Sequence, residues 1–146
     1  MSDLLYCGTN PVGPDDTQAM LAGAFRAIWS PPMHRHAPVE AGNRLWLLWR
    51  AADDDSPLLL GGGVVTATPE GQIDWSNRTA PGIVAEAQER GYRGPTNMAF
   101  LRLENVRIPD DRVVVPDLGT IPIGLSAASA EKAAQLNALL RIDSAP

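Results

Sequence analysis

The chain has one cysteine, one lysine and two histidines in 146 residues, and each scarcity removes a class of chemistry. Cys7 alone cannot form an intrachain disulfide, so a reducing compartment is expected. It lies in an apolar segment far from either histidine, which reads as a small buried hydrophobe rather than a nucleophile. Eleven of the twelve basic residues are arginine. Lysine-based catalysis, including nuclease centres that pair acids with a lysine, has only Lys132 to draw on. No apolar run approaches the roughly 20 residues of a membrane-spanning helix. The opening Met1-Ser2-Asp3-Leu4 lacks the basic and apolar regions of a signal peptide. A cytoplasmic protein with no membrane partner is expected.

Cationic surplus is missing as well. The net charge is −5, which argues against a general nucleic-acid binder. Positive charge is nevertheless concentrated locally: Arg26, Arg35, Arg44 and Arg50 lie in one stretch with both histidines and a single acid, Glu40. The hydrophobic fraction of 45% and charged fraction of 20% are ordinary for one globular domain, here residues 1–146.

Against these absences stands an excess. Four of the eight aromatic residues are tryptophans: Trp29, Trp46, Trp49 and Trp75. Trp46 and Trp49 fall in Arg44-Leu45-Trp46-Leu47-Leu48-Trp49-Arg50, an apolar strand whose two faces both call for cover. Trp29 and Trp75 fall where the chain is expected to turn, beside Ser30 and Ser76-Asn77.

Patterning predicts a first strand over Leu4–Thr9 and a turn at Asn10-Pro11-Val12-Gly13-Pro14. A helix is expected from Asp15 to about Trp29, since Met20, Leu21, Ala24, Phe25 and Ile28 recur at helical spacing. Ser30-Pro31-Pro32 would end it. Further strands are expected at Arg44–Arg50, Leu58–Thr68, Gln72–Trp75, Asn97–Ile108 and Val113–Val115. Helices are expected at Ala80–Arg90 and Ser126–Arg141. Gly61-Gly62-Gly63 inside a strand indicates a bulge, a bend or a close backbone approach. Hairpins dominate, so the fold class is α+β with a curled, mostly antiparallel sheet and flanking helices.

Catalytic and metal signals are weak. His34-Arg35-His36 offers two imidazoles but no complete ligand set, so a solvated loop is preferred to a metal site. Asp53-Asp54-Asp55 and Asp110-Asp111 read as solvated turns. The glycine run lacks the lysine and hydroxyl residue of a phosphate loop, and no nucleophile elbow of the Gly-x-Ser-x-Gly kind is present. No cofactor is indicated, and no enzyme is compelled.

Several stretches, in order, resemble YTH and EVE domains of the PUA-like superfamily. A strand leading into Thr9-Asn10, then a helix, then Trp29-Ser30 is similar to the YTH arrangement. Ala41-Gly42-Asn43-Arg44-Leu45-Trp46 resembles the strand opening of EVE-like modules, with Asn43 in place of an aspartate. Leu60-Gly61-Gly62-Gly63-Val64-Val65 is similar to their glycine-rich strand, and Ala99–Pro109 to their late strand. The resemblance implies a PUA-like pseudo-barrel over about residues 4–116, with a C-terminal helix at about 126–141.

It also implies a non-enzymatic module that reads a modified nucleobase, or a nucleotide-like ligand, in an aromatic pocket. Trp29 and Trp75 would be its walls, with Ser30, Asn10, Thr9 and Asn77 as polar companions. Arg26, Arg35, Arg44 and Arg78 would meet a nucleic-acid backbone. The partner would be single-stranded or flipped-base DNA or RNA, because a stacked base cannot be read in this way. The alternative is a protein-interaction or homodimerisation module of the same fold, presenting Leu136, Leu139 and Leu140 of the C-terminal helix. A hydrolase or transferase using His34 or His36 is a third reading.

Overall fold

The computed structural model of the chain describes residues 3–9, 13–19, 21, 27–30, 40, 42–51, 56–65, 75–76, 89, 99–115, 118–119 and 121–143. Eight strands and two helices fall within them: β1 (Asp3–Gly8), α1 (Pro14–Ala19), β2 (Ala27–Ser30), β3 (Arg44–Trp49), β4 (Leu58–Val65), β5 (Trp75–Ser76), β6 (Ala99–Arg107), β7 (Val113–Val114), β8 (Gly124–Ala128) and α2 (Ala130–Leu139). The architecture is α+β. The main path of the sheet runs β2-β6-β4-β3-β1-β8, with β5 on β6 and β7 on β4. All these pairings are antiparallel except that of β1 with β3. Among the described residues the two ends of this path, β2 and β8, do not pair with each other.

The centre of the sheet is apolar on both faces, as its sequence requires. Along β3, Trp46 and Leu48 enter one buried cluster while Leu45 and Leu47 enter another. The first cluster takes Leu5 and Cys7 from β1 and is covered by Ala133 and Leu136 of α2, with Ile142 behind them. The second takes Leu4 and Tyr6 and is closed by Leu21, Leu103 and Leu125. Trp46 is fully buried, and its indole Nε1–H donates to the Leu140 carbonyl at 2.9 Å, tying the core to the end of α2. Trp49 is half-buried beside the second cluster.

The glycine run answers to close approach. A Cβ on Gly62 would stand 2.5 Å from the Leu45 carbonyl oxygen, and one on Gly61 2.8 Å from that of Arg107. One on Gly63 would lie 2.9 Å from the Glu104 carbonyl oxygen. Both ladders of β4 are irregular here. Opposite β3 the register slips between Leu47 and Leu48, so Leu60 faces no partner. Opposite β6 it slips between Gly62 and Val64, near Asn105, whose φ is 50°. Bulges on both edges sharpen the local twist.

Two sequence expectations are corrected. The helix expected to reach Trp29 is, where described, Pro14–Ala19, and Ala27–Ser30 is a strand paired with β6. Ile28 and Trp29 favour strands, and Pro31 drives Ser30 into extended geometry. The helix expected from Ser126 begins at Ala130, capped by the Ser129 hydroxyl, which accepts from the Lys132 N–H at 3.2 Å. Residues 124–128 instead form β8, which pairs with β1. Of the helix expected at Ala80–Arg90, only Glu89, in helical geometry, falls within the described residues. Among the described residues no helix is long and apolar enough to cross a membrane.

Candidate functional site

Three of the expected pocket residues, Trp29, Ser30 and Trp75, lie on strands paired with the first half of β6. β2 pairs antiparallel along one edge of it, setting Trp29 opposite Phe100 and Ser30 opposite Ala99. β5 pairs with the same β6 residues, setting Trp75 opposite Leu101 and Ser76 opposite Phe100. Two strands bonded to the same stretch occupy its two edges, so residues 27–30, 99–102 and 75–76 make a three-stranded ribbon in the order β2-β6-β5. The two Trp-Ser dipeptides, 46 positions apart in sequence (75 − 29), lie within one register step of each other. Phe100 and Leu101 are consecutive, however, and consecutive positions of a strand belong to opposite faces. Trp29 and Trp75 therefore hold register positions on alternate faces of the ribbon.

Thr9 stands elsewhere. Leu103 pairs with Val65, the last residue of β4, and the Val65 N–H donates to the Asn43 carbonyl just before β3. Residues 99–102 thus lie beyond the end of the sheet where β3 begins. Thr9 follows Gly8, which is level with Trp49 at the end where β3 finishes. The sheet separates Thr9 from both Trp29 and Trp75 by the length of its central strands. Its hydroxyl is buried and, among the described residues, has no hydrogen-bond partner.

Arg44 is engaged within the fold. Its Nε and Nη2 donate to Asp3 Oδ1 and Oδ2 at 2.9 and 2.8 Å, and its guanidinium lies 5.1 Å from the Trp46 ring centroid. The hydrogen bonds to Asp3 hold its pKa above the usual arginine value, against the pull of burial. Asn10, Asn77, Arg26, Arg35, Arg78, His34, His36 and the Asp53–Asp55 triplet lie outside the described residues. Asp110 and Asp111 form an exposed turn after β6.

Cys7 has the buried character its segment implies. It is fully buried, and burial pushes its thiol from the ordinary 9.0 up to about 11, with Arg50 pulling weakly the other way. The helix face expected to meet a partner turns inward in part. Leu136 is fully buried and Leu140 packs on the first cluster, while Leu139 remains half exposed. A helix beside an apolar sheet face spends its leucines on the chain's own core. Among the described residues, no group of three or more His, Cys, Asp or Glu could hold a metal ion.

Phe100 and Arg102 are the residues of this region that sequence reasoning did not place in the site. Their signal is the alternation Phe100-Leu101-Arg102-Leu103-Glu104. It sets Phe, Arg and Glu on one face and the leucines on the other. Leu103 is buried and Glu104 exposed, as that alternation requires.

No protein-family model matches the chain, and neither the curated proteins nor the solved structures include a match to it.

Proposed function

We propose that the protein is a PUA-like, non-enzymatic module that binds a modified nucleobase, or a nucleotide-like ligand, at the β2-β6-β5 end of the sheet. In this reading the mostly antiparallel sheet curls into a pseudo-barrel, with the bulged glycines of β4 as the bend. One observation carries the functional reading: Trp29-Ser30 and Trp75-Ser76, remote in sequence, meet the same residues of β6. A tryptophan offers a base a flat, sequence-tolerant stacking surface worth about 1–3 kcal/mol, and Ser76, in the same cross-strand row as Trp29, is a candidate to hydrogen-bond a base edge. The exocyclic group of a modified base would then be read by contact rather than by pairing, which requires an unpaired or flipped base.

The test is a binding titration of single-stranded oligonucleotides, methylated and unmodified, at low and physiological salt. Tight binding of a methylated strand, weakened in the Trp29→Ala/Trp75→Ala double variant, supports the reading. A folded protein that binds no strand even at low salt removes it.

A further inference from the structure

We propose that α1 and residues 108–112 form a latch over the bulge of β4, one that opens as a single unit ahead of the sheet and is loosened by salt. It does not rest on the base-binding reading.

Neither segment holds itself in place. α1 spans six residues, and isolated helices shorter than about 12–15 residues are marginal in water. Residues 108–112 carry no strand. β6 leaves β4 once Arg107 has paired with Gly62, and β7 rejoins it only where Val113 meets Leu59.

Both segments rest on the same stretch of β4. A Cβ built on Gly61 would stand 2.7 Å from Leu21 Cδ1 and 3.6 Å from Ile108 Cγ1. The buried Leu21, just after α1, and the part-exposed Ile108 thus share one bare glycine as their seat. Thr17 of α1 makes a second seat of this kind, its Cγ2 3.3 Å from where a Cβ on Gly8 would lie. The polar contacts repeat the sharing. Gln18 gives its side-chain amide to the Leu60 carbonyl at 2.9 Å, and its Oε1 accepts from Arg112 Nη2 at 2.8 Å. Arg112 also pairs with Asp15 at 2.6 Å.

Each segment therefore removes support from the other when it lifts, while the strands keep their own ladders. Segments with few contacts of their own open below the free energy of global unfolding. The Asp15 side chain is 87% exposed, so salt screens its pairing with Arg112 and loosens the catch.

The experiment is native-state amide exchange, followed by NMR on the whole protein at low and high salt. The reporters are the Thr17 and Leu21 N–H groups, which donate to the Gly13 and Gln18 carbonyls at 3.0 Å. The amides of β3, a strand paired on both edges, report global unfolding. In the wild type, Thr17 and Leu21 should share one opening equilibrium, more populated than that of β3. Added salt should speed their exchange, and by a smaller factor in Arg112→Gln. Ile108→Ala decides whether the unit is single. It alters only the seating of residues 108–112, yet it should speed exchange at Thr17 and Leu21 roughly 5- to 10-fold. If that variant fails to fold, Ile108→Val gives the same reading at roughly 2- to 4-fold. Unchanged exchange at Thr17 and Leu21 in a folded Ile108 variant overturns the proposal. So does wild-type exchange of these two amides at the rate of β3. Neither result bears on base binding.

Discussion

Gln18 donates its side-chain amide to the Leu60 carbonyl at 2.9 Å, at the one residue of β4 that both neighbouring ladders skip. On the far edge, β6 pairs with Gly62 and β7 resumes at Leu59, while residues 108–112 loop outward between them. From that excursion Arg112 returns Nη2 to the Gln18 Oε1 at 2.8 Å and pairs with Asp15. A helix side chain therefore stands in for a missing strand partner. Gln18→Ala should cost about 1–3 kcal/mol, because it strands a buried carbonyl. Arg112→Ala should cost less than about 1 kcal/mol, because its contacts are solvent-screened. Urea unfolding of both variants checks the ranking, and equal losses would contradict it.

The glycines of β4 should not tolerate a methyl group. In Gly62→Ala the new Cβ meets the backbone carbonyl of Leu45 at 2.5 Å, with no flexible side chain able to yield. A loss of about 3 kcal/mol, the upper end of overpacking costs, is expected. Gly13, with nothing within 4 Å of an added Cβ, is the control. Gly13→Ala should change stability by less than about 0.5 kcal/mol. Thermal melts of the two variants suffice.

Cys7 predicts an alkaline limb in the stability curve. Its folded pKa, about 11, lies above the ordinary 9.0, so the unfolded chain gives up its proton first. The contribution is complete below pH 9 and falls away as pH rises toward 11, by at most about 1.4 kcal/mol per pH unit. Denaturant midpoints of the wild type and Cys7→Ala across that window should converge as pH increases. Native thiol labelling at neutral pH should be slow and should follow unfolding.

Arg44 and Asp3 form a bidentate pair, each side chain about a quarter exposed or less. A double-mutant cycle to alanine should return a coupling of about 1 kcal/mol, shrinking with added salt. Arg44→Ala should also lose packing over Trp46, so it should be the costlier single change.

Legibility in the sequence followed how local the cause was. β3 was readable because seven consecutive residues carry its pattern, and the bulges of β4 were announced by Gly61-Gly62-Gly63. β8 was not readable: Gly-Leu-Ser-Ala-Ala has little intrinsic strand preference and adjoins a true helix. It is a strand because β1 offers it an edge. β2 reads as helix in the sequence because Leu21 and Ile28 fit a helical period, while its determinant is pairing with residues 99–102. The candidate site shares that difficulty. Trp29 and Trp75 were recognisable as a pair of interest from their serine neighbours. Their placement on alternate faces depends on which β6 residue each one meets, and only the non-local register determines that.

The pairing of β1 with β8 has a consequence for biogenesis. Asp3 meets Ala128 and Cys7 meets Gly124, so β1 completes its ladder with a strand far along the chain. During translation β1 can dock on β3 in parallel but keeps its other edge open until β8 has emerged. An apolar edge exposed for that long invites pairing with other nascent chains. High contact order of this kind slows folding and makes a ribosome-bound chain dependent on timing.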